Sequence, residues 1–367
     1  MKNITYIFTE NRKSNYYNET IQAREFYYGL TSFNKSEYNI EIIEFDYTKK
    51  LINFPLRILD EFIRRFLSLP FYSAQLFSFK NIKILSKTDH LIMVPESSGC
   101  SSLILLIFFK KLFNFKAHLF VMGLYSKKIR FKQFTKLHFF IIKVLVKLLD
   151  NVFFLGKSEL SKAINIHKKQ NKLNYFPFSI DTSFWDTNKI DLEKNLQIIF
   201  VGNDGNRNED LLIEIATKLD KYNFTFVSQL PRLKNLNLPN VDVISGKWGD
   251  ENLDDNALKE IYLNSRLCIL PLKNSTQPSG QSVSLQCMSL GIPVMISKTD
   301  GFWDPDKFVD ESNILMIENN TKEWVKNIES SFSNLNKLNS ISQEAKKTVK
   351  DDFNLNEFYK RLIEFIG

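Results

Sequence analysis

Short unbroken apolar runs alternate with longer stretches of helical period along most of the chain. "ITYIFT" (Ile4–Thr9), "NIEIIEF" (Asn39–Phe45), "HLIMV" (His90–Val94), "AHLFVM" (Ala117–Met122) and "NVFFL" (Asn151–Leu155) read as buried strands. Between them, Pro55–Lys87 reads as one long helical region, with further helices over Ser101–Phe113 and Gln133–Leu149. Strands buried on both faces carry no polar alternation, so runs of this kind separated by helices predict a parallel sheet covered on both sides.

The pattern restarts after a polar connector, "FPFSIDTSFWDTNKIDLEKN" (Phe176–Asn195). Strands are predicted at Leu196–Gly202, Phe224–Ser228, Val241–Ser245, Leu267–Leu272 and Pro293–Ser297, and helices at Glu209–Leu219, Asn256–Asn264 and after Gly280. The fold class is therefore α/β, with two doubly wound parallel-sheet domains facing across a cleft. The expected division is 1–180, 181–351, and a terminal helix over 352–367 that crosses back to the first domain.

With 367 residues the chain exceeds what one core usually holds, which agrees with two domains. Cys100, Cys268 and Cys287 have no disulfide or metal spacing, and His90, His118, His138 and His167 form no ligand motif, so no metal site is predicted. "MKNITYIFTENRKS" lacks the form of a signal peptide, and no apolar run is long enough to span a bilayer. The net charge of +8 is uneven. Residues 1–180 hold 28 Lys and Arg against 13 Asp and Glu, whereas 181–367 hold 21 against 28. Ser97–Leu149 contains ten basic residues and no acidic one. This is either a solvated basic face or a surface for an anionic partner, membrane or nucleic acid.

The most specific stretch is "PSGQSVSLQCMSLGIPV" (Pro278–Val294), a small-residue loop opening directly onto a helix. It is either a plain turn or an anion site, because the first N–H groups of a helix have no partner within it. The loop follows a strand, the end at which such sheets bind ligands. Gly280 permits close backbone approach, Ser279 or Ser282 is expected to cap the helix, and the N–H groups around Gln281 and Ser282 face phosphate oxygens. Gln286 lies one turn beyond Ser282, about 6 Å along the axis, near the spacing of a diphosphate and a ribose. It also reads as an ordinary polar helix residue.

"LQCMSLGIPVMISKTDG" resembles the second half of a pattern in GT-B glycosyltransferases of the family 4 type: Glu, seven residues, Glu, Ala-Met, Gly, Pro-Val. Gln286 stands where that family holds the nucleotide ribose with Glu; the first Glu is absent near Pro278, with Gln277 adjacent. "FPFSIDTSFW", "IIFVGNDGNRNEDLLIEIATKL" and "VDVISGKWGDENLDDNALKEIYLNSRLCILPL" resemble the family's linker, its first donor-domain strand and helix, and the elements before the site. "FNLNEFYKRLIEFI" resembles its closing helix. The resemblance implies a diphosphate grip after Gly202, with Asn203 at the Arg position and Arg207 at the Lys position. It implies a base contact at Lys247 and Trp248, although Trp248 also reads as packing. It further implies metal-independent, retaining transfer, with a nucleotide-diphosphate sugar as co-substrate and no cofactor.

The resemblance makes Arg207 the group that meets charge on the departing diphosphate. The His that many members place after the strand here reading "HLFVMGLY" is replaced by Met122-Gly123. Glu96, after "LIMVP", reads either as an acceptor-side base or as a carboxylate at a helix start. "KKIRFKQFTKLHFFIIKVLVKLL" interleaves cations with apolar residues as an interfacial helix would, and Leu59–Phe77 is a second such stretch. Lys127, Lys128, Arg130 and Lys132 are the expected membrane and acceptor contacts. The function read is sugar transfer to a hydroxyl of a membrane-associated acceptor: a lipid-linked saccharide, a lipopolysaccharide or capsule precursor, or a glycolipid. The enzyme is expected in the cytoplasm, peripheral on the inner face of the membrane and not on nucleic acid. The alternatives are a nucleotide-sugar epimerase of the same fold, or a non-catalytic basic protein binding membrane or nucleic acid.

Overall fold

The computed structural model describes residues 1–47, 54–168, 171–187, 197–246 and 253–367. Two compact units share the chain: one holds Met1–Ile21, Tyr27–Pro177 and Tyr359–Gly367, the other Gln22–Phe26 and Phe178–Phe358.

The first unit is built on β1 (Lys2–Phe8), β2 (Tyr38–Glu44), β3 (His90–Met93), β4 (Lys116–Val121), β5 (Asn151–Phe154) and β6 (Leu173–Tyr175). They form one sheet in the order β2-β1-β3-β4-β5-β6, with every pairing parallel. Strand order reverses between β1 and β3, and Glu96 stands just beyond the carboxyl end of β3. Open α/β sheets bind ligands at such a switch point.

The second unit repeats the plan with β7 (Gln197–Val201), β8 (Asn223–Val227), β9 (Val241–Ile244), β10 (Leu267–Leu270), β11 (Val294–Ser297) and β12 (Leu315–Ile317). The order is β12-β11-β10-β7-β8-β9, again all parallel, and the switch point lies between β7 and β10. Ile198, Ile199, Phe200, Cys268, Ile269, Leu270 and Val294–Ile296 are fully buried, as strands covered on both faces require.

Two features depart from the sequence reading. The region Pro55–Lys87 is three helices, Phe54–Leu67, Ser73–Leu76 and Phe79–Leu85. Ser68 adopts a left-handed φ of 55° and Pro70 follows, which together end the first helix. The edge strands β6 and β12 were not expected; each has three residues, too few for a period to register.

Candidate functional site

The loops after β7 and β10 are stitched together. Arg207 makes an isolated antiparallel bridge with Leu272, and the Asn208 N–H donates to the Pro271 carbonyl at 2.9 Å. The Lys273 N–H donates to the Asn206 carbonyl at 2.7 Å, and Asn206 Nδ2 donates to Ser279 Oγ at 2.8 Å. Asn208 then starts the helix Glu209–Lys218 by accepting from the Leu211 N–H.

Past this stitched segment, the helix Gln281–Leu290 begins. Its N-cap is Gly280 at φ 79°, and no side chain caps it. The serine caps expected from sequence are therefore absent: Ser279 Oγ accepts from Asn206, and a left-handed N-cap leaves no side chain to fold back onto the helix. The first helical bond runs from the Ser284 N–H to the Gly280 carbonyl at 2.9 Å. At the other end, Ile292 N–H to Cys287 O and Gly291 N–H to Met288 O form a Schellman closure, with Gly291 at φ 82°. All but Ser282 of this helix is buried, so its N-terminus cannot shift without the core.

A cavity of about 340 Å³ is lined by Gly202, Asn203 and Arg207 after β7, by Ser282 and Gln286 on this helix and by Tyr262, with apolar walls from Phe26, Val227, Leu253 and Leu258. That size and lining suit a small organic ligand with a few fixed polar contacts. Arg207 is only 5% exposed, yet among the described residues its Nε and Nη1 have no hydrogen-bond partner, and Nη2 reaches Asp204 only at 3.5 Å. A buried donor left unmade costs about 1–3 kcal/mol, so two open guanidinium edges mark a place where an acceptor belongs. Gly202 makes room for the guanidinium: a Cβ there would fall 1.9 Å from Arg207 Nε, whereas one on Gly280 would be in ordinary contact with Nη1 at 3.5 Å. Gly202→Ala should therefore displace the guanidinium while keeping its charge.

Asn203 lines the cavity but is committed to the scaffold. Its Nδ2 donates to the Gly246 carbonyl at 2.8 Å and its Oδ1 accepts from the Gln229 N–H at 2.5 Å. Gln277 does not line the cavity; its backbone is folded against Gly301, where a Cβ would meet the Ser275 and Gln277 carbonyls at 2.4 Å. Lys247 and Trp248 lie outside the described residues.

Gln286 is 3% exposed and held at both ends: its Oε1 accepts from Tyr262 Oη–H at 3.1 Å and its Nε2 donates to Glu25 Oε1 at 2.9 Å. Neither partner was read from sequence. Glu25 also accepts from Trp185 Nε1–H at 2.7 Å, and burial raises its carboxyl to about 7. No sequence signal marks it, because it is 261 residues from Gln286 in a polar segment without a motif.

In the first unit, Glu96 is the first residue of the helix Glu96–Ser101 and is 8% exposed. Its Oε2 accepts from the Met122 N–H at 3.3 Å, and its Oε1 is 3.7 Å from Lys127 Nζ. Lys128, Arg130 and Lys132 are exposed. Lys127–Arg130 occupy irregular chain and Lys132 opens a short 3-10 turn, before the helix Thr135–Leu148 begins. The basic cluster thus precedes the apolar helix instead of lying on it. Near Glu96 sits Glu159, fully buried: Oε1 accepts from the Tyr125 N–H at 2.8 Å and Oε2 has no partner among the described residues.

Burial, with repulsion from Glu96, raises Glu159 to about 8 from an ordinary 4.5. A carboxyl raised on folding holds its proton more tightly in the native state, so stability falls as pH rises from about 4.5 to about 8. The full shift corresponds to something on the order of 5 kcal/mol. Glu159→Gln should flatten the pH dependence of the unfolding midpoint over that window; a slope unchanged from wild type would exclude this account of Glu159.

No protein-family model matches the chain, and no curated protein matches it in sequence. Solved structures match over its whole length. HepE of Anabaena in complex with UDP-glucose aligns at 10% identity and a TM-score of 0.71, covering 100% of this chain and 99% of that one. Sucrose-phosphate synthase from Thermosynechococcus elongatus aligns at 13% and 0.72, covering 100% and 98%. The catalytic domain of starch synthase IV from Arabidopsis thaliana, bound to ADP and acarbose, aligns at 10% and 0.62, covering 99% and 98%. The fold is GT-B. Within this GT-B chain, the Arg207 cavity is lined from the carboxyl ends of β7 and β8 and from the helix that follows β10.

Proposed function

We propose that the chain is a glycosyltransferase that moves a sugar from a nucleotide-diphosphate sugar to a hydroxyl of a membrane-associated acceptor. The observation that carries this reading is the buried Arg207, whose Nε and Nη1 have no partner among the described residues, in a cavity beside the start of the helix Gln281–Leu290. A guanidinium edge and a helix N-terminus are both built to receive phosphate oxygens. UDP-glucose in HepE and ADP in starch synthase IV support a nucleotide diphosphate as the ligand.

In the reaction, the bond from the sugar C1 to the diphosphate oxygen breaks and its electron pair goes to the departing diphosphate. The acceptor oxygen bonds to C1 and releases its proton. Arg207 and the helix N–H groups stabilise the new negative charge, worth about 3–4 kcal/mol per well-placed donor in comparable sites. This reading needs no metal, and the retaining course is carried over from the resemblance to family 4. Among the described residues, no group of three or more His, Cys, Asp or Glu is placed to hold one. Glu96 is the proposed acceptor-side base, with Lys127 beside it.

A membrane acceptor is supported by the first unit's surface. Of the fourteen large apolar residues exposed among the described ones, all but Val309 belong to that unit. Phe54, Ile58 and Phe62 form one exposed stripe at helical spacing, with Arg65 beside it. Phe108 and Leu112 on the helix Leu103–Phe113, and Phe140 on Thr135–Leu148, are exposed beside Lys111, Lys136 and Lys143. Apolar residues rimmed by cations are the chemistry of a peripheral membrane surface. No helix among the described residues is long and apolar enough to cross a membrane.

The test uses UDP-, GDP- and ADP-glucose labelled in the sugar, offered with a total lipid extract or with water-soluble saccharides. Label should pass to the organic phase. Transfer only to the soluble saccharides would remove the membrane acceptor, and no transfer from any donor would remove the enzyme.

A further inference from the structure

Gln286 stands where the resembling family carries Glu, and the structure shows what accompanies that exchange. Glu25, Gln286, Trp185 and Tyr262 form a linear, buried chain of hydrogen bonds. Glu25 Oε1 receives Trp185 Nε1–H and Gln286 Nε2–H; Gln286 Oε1 receives the Tyr262 hydroxyl. A primary amide has two N–H donors and two lone pairs. One of each is spent here, which leaves one N–H and one lone pair of Gln286 for the cavity it lines. Glu25 does not line that cavity, so it acts only through the amide.

We propose that Glu25 is the positioning residue of the donor site: its carboxylate fixes the Gln286 amide so that the remaining N–H and carbonyl lone pair face the nucleotide's ribose hydroxyls. Carboxylate and amide are thus a complementary pair. Two carboxylates here would repel at hydrogen-bonding distance, and two amides would lose the charge-assisted bond. The inference rests on the donor-site reading above, and adds the residue that orients its hydroxyl contact.

Other charged groups around Glu25 are accounted for. Arg24, its neighbour, is turned to Asp181, bonding it through Nη2 at 2.9 Å. The Asp181 N–H reaches Glu25 Oε2 at 3.4 Å. On the helix Asp255–Leu263, Asp255 accepts from the Ala23 N–H at 3.1 Å and its charge raises Glu25 further, while Tyr262 meets Gln286. Glu25 therefore titrates near pH 7, raised chiefly by burial. Once protonated it is a weaker acceptor, and the amide is held less firmly.

The experiment measures the dissociation constant of UDP-, GDP- and ADP-glucose against the full chain by calorimetry from pH 6 to 8.5. Diphosphate diesters do not titrate in this range. For the best-bound donor, wild type should bind about tenfold more tightly at pH 8 than at pH 6, the loss of one charge-assisted hydrogen bond. This arm needs no variant to fold. Glu25→Gln should be flat across the range, at the weaker level. Gln286→Glu should bind about tenfold more weakly at pH 8, and the exchange of both, E25Q with Q286E, should recover most of that loss. A role confined to packing would move none of the pH profiles. A wild-type affinity independent of pH, a pH dependence that survives E25Q, or a double exchange no better than Q286E would overturn the inference while leaving the donor site standing. If wild type binds none of the three sugars, the donor-site reading falls and this inference with it.

Discussion

Arg207→Ala is expected to lower nucleotide-diphosphate affinity by about ten- to a hundredfold, the value of a charge-assisted hydrogen bond to phosphate. The expectation follows from how the side chain is stored. It is buried, and among the described residues two of its nitrogens have no hydrogen-bond partner and its ion-pair neighbour is the partly exposed Asp204 at 3.5 Å. Removing a guanidinium that already bonds protein groups would cost stability. Removing this one should leave the unfolding midpoint nearly unchanged or higher, because the desolvated charge is no longer buried. The combination separates a ligand-binding residue from a structural one. A variant that binds nucleotide as wild type does would show that the diphosphate sits elsewhere.

The second large effect concerns the first unit. Replacing Lys127, Lys128, Arg130 and Lys132 together by Glu should abolish flotation with anionic vesicles. Each cation near an anionic leaflet contributes about 1 kcal/mol, so losing four corresponds to roughly a thousandfold in partitioning before any repulsion is added. Wild type should float at low salt and less as salt rises, because the attraction is screened. Lys127 also faces Glu96, so a control reversing only the three exposed cations keeps that pair intact. Should wild type remain in the soluble fraction at every salt concentration, the membrane acceptor is excluded and a soluble one takes its place.

Most of the architecture was legible because it is written in hydrophobic runs. β3, β4, β5, β7, β8, β10 and β11 each coincide with a short apolar stretch buried on both faces, which leaves little choice of element. The helix Gln281–Leu290 was equally plain, since glycines bracket it at both ends. Less was legible where local sequence does not decide. β6 and β12 are held by their neighbours at the sheet edges, not by any period of their own. The helix has no side-chain cap at Gly280, and Ser279 accepts instead from Asn206 on the other loop, a tertiary contact that a serine beside a helix start does not reveal. The site divides the same way. Gly202, Arg207, Ser282 and Gln286 line one cavity and all lie in motif-bearing stretches. Glu25 and Tyr262 decide what Gln286 can offer, yet carry no spacing relation to it. A buried hydrogen-bond chain assembled from four segments is invisible until the chain is folded.

On the proposed function, the cavity lined by Arg207 and Ser282 holds the diphosphate of a nucleotide sugar. A crystal structure of the full chain grown with UDP-, GDP- or ADP-glucose tests it most directly. The diphosphate oxygens are expected within hydrogen-bonding distance of Arg207 Nε or Nη1 and of the first N–H groups after Gly280, with the ribose against Gln286. A nucleotide bound with its diphosphate away from Arg207 would contradict it.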